Sequence, residues 1–199
     1  FETRHAPAAD YVAAHALAMD ASVFRSNRGF ADDVRPILED VEFSHRLRRA
    51  GCRLVMNPAI QVQHVFNYSL IRSLRNAFTK SFYWTAYAIG NRDLLADSGT
   101  ATVALKLNVL VFAGNAGLLY GFVLTGNMIL LGLVALAFAF NLFVNRGLLL
   151  AYHRAEGLGF ALMAALYYLS LYPLAVGGGA GAGMLRHLFS TPLRPREHR

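Results

Sequence analysis

Two adjacent carboxylates, Glu39 and Asp40, are the residues of this sequence best placed to act as a catalytic base. They open a stretch in which Phe43, Leu47 and Ala50 recur at helical spacing, which predicts a helix with one apolar side. The acidic residues fall in its first turn and arginines fall in its last, an order that suits the helix dipole. Taken alone, however, an acidic pair at a helix start is more often an ordinary surface feature.

The stretches around this helix have the composition of short buried strands. Residues 53–56 predict one strand that ends at Asn57-Pro58, and residues 60–64 predict a second strand that ends at His64. Before the helix, residues 12–19 are small and apolar and predict a third. We therefore expect the acidic pair to lie on a helix that is backed by strands.

The order of these elements resembles the acceptor-side half of family 2 glycosyltransferases, which are inverting enzymes of the GT-A fold. The resemblance covers roughly residues 13–84 and includes the Glu-Asp pair, the Arg-Leu-Arg-Arg-Ala-Gly helix end, the Asn-Pro turn and the final His. It implies an α/β fold, namely a partial GT-A glycosyltransferase domain, followed by α-helical transmembrane segments. It also implies that Asp40 is the general base and that Glu39 orients the acceptor or the loop.

The same resemblance implies further site residues. Members of the family often carry Gly-Gly-Phe-Asp where this chain has Arg-Gly-Phe-Ala at positions 28–31, so Gly29 and Phe30 are expected to contact the acceptor. The alternative is a flexible polar turn. In metal-dependent relatives a histidine downstream of the base helps to hold Mg²⁺ or Mn²⁺ with the donor diphosphate, and the matching residue is His64. The alternative for His64 is a structural role at the strand end.

A basic amphipathic helix is predicted over residues 67–84. Its apolar residues recur at helical spacing, and Arg72 and Arg75 carry positive charge beside them. Such a helix can lie in the membrane interface, or its arginines can bind the diphosphate of the donor. A solvated helix that joins two domains is the third possibility.

The second half of the chain is strongly apolar. No charged residue occurs over the 39 positions 107–145, a length that accommodates two transmembrane helices of ~20 residues each. We place these near residues 107–124 and 128–144, with a turn between them, and a third near residues 158–176 after a short interfacial helix. The predicted domains are thus residues 1–66 (catalytic), 67–100 (interfacial helix and linker) and 101–199 (membrane domain with two to three spans and a basic tail).

The composition agrees with a membrane protein. Hydrophobic residues make up 55% of the sequence and the net charge is +7. Because no nucleic-acid recognition motif is present, we expect the positive charge to meet membrane lipid and phosphorylated substrates rather than nucleic acid. A single cysteine excludes an internal disulfide bond and fits a reducing compartment. The expected location is the inner (cytoplasmic) membrane, with the catalytic domain in the cytoplasm.

The sequence lacks the nucleotide-binding half and the Asp-x-Asp motif that a GT-A enzyme needs, and it begins with Phe1. We therefore expect a fragment that is inactive alone. The expected activity of the intact enzyme is transfer of a sugar from a nucleotide-sugar donor to a lipid-linked, polyprenyl phosphate or envelope-glycan acceptor. The alternative is a non-catalytic membrane subunit or transporter piece with a small cytoplasmic domain.

Overall fold

The computed structural model describes residues 9, 11–30, 37–57, 62, 63, 65, 67–96 and 101–189. These residues divide into two compact units, one that ends at Tyr68 and one that begins at Ser69. The described residues of the first unit form a 3₁₀ turn, Ala14–Ala16, and the helices α1 (Ala21–Ser26) and α2 (Glu39–Arg49). The second contains α3 (Leu70–Asn91), α4 (Val103–Thr125), α5 (Met128–Val144), α6 (Arg146–Leu166), a π-helical segment (Tyr167–Leu171) and α7 (Tyr172–Phe189).

The α/β fold predicted from the sequence is wrong, because the described residues form helices and contain no β-strand. Residues 12–19 hold the 3₁₀ turn instead of a strand, and residues 53–56 follow α2 as irregular chain. A strand needs a neighbour to complete its ladder of backbone hydrogen bonds, and none lies beside these segments among the described residues. Of the other predicted strand, residues 60, 61 and 64 fall outside the described residues.

The core of the first unit is built on the apolar side of α2. Phe43 and Leu47 are fully buried and cluster with Leu54 and Ala9. The ring of Phe43 also packs edge-on against those of Phe24 and Phe30, with centroids 5.5 and 5.1 Å away. The predicted apolar side is confirmed at Phe43 and Leu47, which fix the rotation of α2, whereas Ala50, its third predicted member, is exposed at the end of the helix.

Helix α1 begins at a well-formed cap. The carboxylate of Asp20 accepts hydrogen bonds from the backbone N–H of Ser22 at 2.6 Å and from its hydroxyl at 2.5 Å. These bonds, the hydroxyl bond foremost, lower the pKa of Asp20 because they stabilise its charged form.

Helices α4 and α5 form a hairpin with a two-residue connection, Gly126-Asn127. Helix α4 ends at Thr125, and the next residue, Gly126, closes the helix with a left-handed φ of 67°. Asn127 then caps α5 by accepting the backbone N–H of Ile129 at 3.0 Å. The helices and the turn predicted over residues 107–144 are therefore confirmed as elements of secondary structure.

The 44 residues Arg146–Phe189 are helical throughout apart from one break. Gly157 has φ 84° and ψ −179°, which is not a helical conformation and is open to glycine at little cost. The break separates a segment with charged residues from the apolar remainder, at the position where the sequence changes character.

Helix α3 packs along α7 at very short range. Gly179 and Gly183 lie against the backbone carbonyls of Phe78 and Phe82, so that an added Cβ atom at either glycine would overlap a carbonyl oxygen. Since both contacts advance together along the two chains, α3 and α7 run parallel. Helix α3 thus has a helical partner along its length and also extends past its predicted end, to Asn91.

Two helical stretches among the described residues are long and apolar enough to cross a membrane, namely Val103–Thr125 and Arg146–Phe189. Helix α5 is also apolar, and its 17 residues lie at the lower limit of the length that spans a bilayer. Large apolar side chains on all three stretches are exposed, for example Leu110, Ile129 and Leu162.

Candidate functional site

The candidate site begins at the first turn of α2. Its N-cap residue, Leu38, has no side chain that could cap the helix. The carboxylate of Asp40 accepts the backbone N–H of Val41 through Oδ1 at 2.8 Å, and thereby satisfies one of the donors left at the helix start. Both Asp40 and Glu39 are partly buried. The Oε2 atom of Glu39 is buried and has no hydrogen-bond partner, a state that a bound polar group would relieve.

A buried serine fixes the turn that carries Asp40. The hydroxyl of Ser44 donates to the backbone carbonyl of Asp40 at 2.6 Å and accepts the backbone N–H of Val12 at 3.0 Å. Ser44 is completely buried, so that both bonds are shielded from water. The segment before α1 is thereby tied to the start of α2, and the carboxylates rest on a fixed backbone.

The loop after α1 is held by Arg46. Its Nε atom donates a bifurcated hydrogen bond to both carboxylate oxygens of Glu42, at 2.7 and 2.9 Å, and forms an ion pair with it. Its two terminal nitrogens donate to the backbone carbonyls of Asn27 and, at 2.5 Å, of Gly29. The guanidinium group thus satisfies two backbone carbonyls of the loop that follows α1. Arg46 therefore fixes the loop 27–30 against α2.

Gly29 and Phe30, the predicted acceptor contacts, lie in this fixed loop. Gly29 has a φ of 57°, and a Cβ atom there would lie 2.8 Å from the ring of Phe24. Phe30 packs on Phe24 and Phe43, which gives it a structural role in the core. Both residues share the first unit with Glu39 and Asp40.

Comparisons with protein families, with curated proteins and with solved structures were negative. No match to this chain was found. The chemistry of the site therefore rests on its own residues and on the resemblance described above.

Arg72 and Arg75 lie on the first turns of α3, in the second unit. Both are exposed. Ser69 caps this helix by accepting the backbone N–H of Arg72 at 3.3 Å. The neighbouring Ser73 shares a hydrogen bond of 2.7 Å with the hydroxyl of Tyr167. Binding of the donor diphosphate by the two arginines stays a prediction.

The predicted metal ligand, His64, lies outside the described residues. Among the residues that are described, no group of three or more histidine, cysteine, aspartate or glutamate side chains is close enough to hold a metal ion. This part of the chain therefore does not by itself fit a site for Mg²⁺ or Mn²⁺, and the metal stays a prediction.

The sequence did not predict a buried chain of amides in the second unit. Asn145 Nδ2 donates to Asn141 Oδ1 at 2.8 Å, and Asn141 Nδ2 donates to Asn108 Oδ1 at 2.7 Å. Asn108 Nδ2 then donates at 2.7 Å to the carbonyl of Tyr168, in the π-helical segment where the usual helical bonding changes. All three asparagines are at most 3% exposed. Their occurrence in apolar helices, with two of them four residues apart, was the available signal.

Proposed function

We propose that this chain supplies the acceptor side of a membrane-bound, inverting glycosyltransferase. The observation that carries the proposal is the arrangement of two partly buried carboxylates on the first turn of α2, with Asp40 held by the N–H of Val41. The order of sequence motifs that resembles family 2 glycosyltransferases, from the Glu-Asp pair to the final His, supports it, although the strands implied by that resemblance are absent from the described residues. The substrate would be a nucleotide-sugar, and the acceptor a lipid-linked, polyprenyl phosphate or envelope-glycan hydroxyl.

Asp40 would act as the general base. One oxygen, Oδ1, is held by the Val41 N–H, which leaves Oδ2 to accept the proton of an acceptor hydroxyl. As the proton moves to Asp40, the hydroxyl oxygen forms a bond to the anomeric carbon, and the bond from that carbon to the nucleotide diphosphate breaks. Attack opposite the leaving group inverts the anomeric configuration. Glu39, with its unpartnered Oε2, would orient the acceptor.

The exposed apolar helices support a membrane location for the reaction. In water, the exposed side chains of α4 and α5 would carry a large hydrophobic cost, whereas in a bilayer they meet lipid. Lys106 and Arg146 stand at the two ends of this hairpin, a distribution that favours both ends in the cytoplasm. We infer that the chain resides in the cytoplasmic membrane, with the first unit on the cytoplasmic side.

The polar groups inside the second unit favour anchoring over transport. A transporter needs polar or ionisable groups that face a pathway through the membrane. Asn108, Asn141 and Asn145 are instead buried and hydrogen-bonded to one another and to the backbone. This arrangement holds helices together, which is what an anchor requires.

The experiment is sugar transfer in membranes that contain the full-length protein in which this chain occurs. Radiolabelled nucleotide-sugars are supplied one at a time with Mg²⁺ or Mn²⁺, and the organic extract is counted. Label that enters the lipid or glycan fraction and disappears with Asp40→Asn supports the proposal. Absence of transfer from every donor, or release of the protein by alkaline carbonate, contradicts it.

A further inference from the structure

A second site in the first unit is lined by basic residues. An open pocket of about 320 Å³ is bordered by Ser26, Asn27, Arg28, Arg46 and Arg49. Three of these five residues are arginines, and none is acidic. Arg46 lies six residues after Asp40 on α2, about 9 Å further along the helix axis at 1.5 Å per residue. The pocket is therefore separate from the carboxylate pair.

The arginines of this pocket have different roles. Arg46 is occupied by Glu42 and by two loop carbonyls, so its main task is to hold the loop. Arg28 is exposed, and its guanidinium makes no ion pair or hydrogen bond within the described part of the chain. Its five N–H donors are thus available to a ligand in the pocket that Arg28 lines.

The backbone of Arg28 has an unfavourable conformation for a residue with a side chain. Its φ is 61°, in the left-handed region where glycine is preferred and other residues cost about 1–2 kcal/mol. The conformation is enforced from both sides, because Arg46 binds the carbonyls of Asn27 and Gly29. The backbone N–H of Arg28 also donates to the carbonyl of Arg25 at 2.9 Å. A strained position that keeps a long charged side chain points to a task for that side chain.

We propose that this pocket binds a phosphate group, with Arg28 as its principal ligand. Guanidinium groups match phosphate oxygens in charge and in the spacing of their donors. Asn27 Nδ2 donates to the carbonyl of Val23 at 2.9 Å and to the hydroxyl oxygen of Ser26 at 3.5 Å, and the longer, weaker bond to Ser26 is the one that an anion would replace. The phosphate belongs either to a soluble molecule or to a lipid headgroup. The proposal does not depend on Asp40 acting as a base, since no residue is shared between the two sites.

The test is calorimetric titration of the full 199-residue chain, held in phosphatidylcholine nanodiscs, with two phosphate probes. Inorganic pyrophosphate represents the soluble source, and a short-chain phosphatidic acid below its micelle concentration represents the headgroup. Short-chain phosphatidylcholine is the blank. The first variant, Arg28→Gln, removes the charge and leaves a residue with a side chain in the left-handed conformation. The second, Arg28→Gly, removes the charge and also relieves the backbone strain. The matched control is Arg25→Gln, because Arg25 is an exposed arginine of the same segment that does not line the pocket.

Loss of charge-assisted hydrogen bonds predicts that both Arg28 variants bind the phosphate probe about tenfold more weakly or worse. The Arg25 control should change affinity less than about twofold, because its guanidinium is exposed to solvent, which screens its charge, and Arg25 does not line the pocket. Thermal unfolding separates binding from folding, because Arg28→Gly should be as stable as the native chain or more stable. Binding of pyrophosphate assigns a soluble source, and binding of phosphatidic acid alone assigns a headgroup. If neither probe binds, or if the Arg28 variants bind as the native chain does, the proposal is wrong.

Discussion

Replacement of Asp40 by asparagine distinguishes a catalytic role of this residue from its contribution to the stability of the fold. Asparagine has the same shape, and its side-chain oxygen can still accept the backbone N–H of Val41, which Asp40 binds at 2.8 Å. The substitution therefore removes basicity and charge while it leaves the first turn of α2 bonded as before.

The two effects differ enough in size to be distinguished. Loss of a negative charge at a helix N-terminus costs about 0.3–1 kcal/mol of stability at an exposed or partly exposed position. Loss of a general base lowers kcat by about 10²–10⁴-fold, which corresponds to about 3–5 kcal/mol in the activation barrier. We therefore expect a nearly native melting temperature together with a loss of most of the turnover.

The assay is sugar transfer by the full-length protein in membranes, with kcat and the donor KM measured separately. The donor KM should stay near the native value. Glu42→Gln is the control, since Glu42 is another first-turn carboxylate of α2 but is paired with Arg46. That variant should lose a little stability and keep its kcat. Substantial turnover in Asp40→Asn together with its loss in Glu39→Gln would assign the base to the other carboxylate, and normal turnover in both would refute the reasoning.

Three further predictions concern the second unit and the metal. Gly183→Ala should force α3 away from α7 and lower the free energy of unfolding by about 1–3 kcal/mol. Gly181→Ala is the control and should leave stability unchanged, because a Cβ atom there meets open space. Thermal melts in detergent compare the two variants. Asn108→Leu should leave the Nδ2 group of Asn141 without its acceptor and cost about 0.6–1.7 kcal/mol in the same melts, and an unaltered melting temperature would dismiss the amide chain as a source of stability. His64→Ala should raise the Mn²⁺ concentration needed for half activity, and an unchanged metal titration would remove His64 from the site.

The sequence predicted the helices better than the fold. The apolar spacing of α2 and the uncharged stretch with its Thr-Gly-Asn turn are local signals, and the structure has helices at both places. A β-strand depends on a partner strand that is often distant in sequence. The apolar composition of residues 53–56 alone therefore could not establish that these residues form a strand. The α/β prediction came from resemblance and composition, and the hydrogen bonding of the described residues overturns it.

The candidate site was predictable in its carboxylates but not in its supports. Glu39 and Asp40 stand out by type and position, whereas the bonds of Ser44 to Val12 and of Arg46 to the loop carbonyls connect residues 17–32 positions apart. Such contacts depend on how α1 and α2 pack. The left-handed conformation of Arg28 was hidden for the same reason, since it follows from the loop that Arg46 holds.

The configuration of the transferred sugar tests the central claim most directly. The full-length protein in membranes is given an α-linked nucleotide-sugar, and the anomeric linkage of the isolated product is read from its proton coupling constant by NMR. A single base that activates the acceptor for one direct displacement predicts a β-linked product. An α-linked product would require a different mechanism and would contradict the role assigned to Asp40.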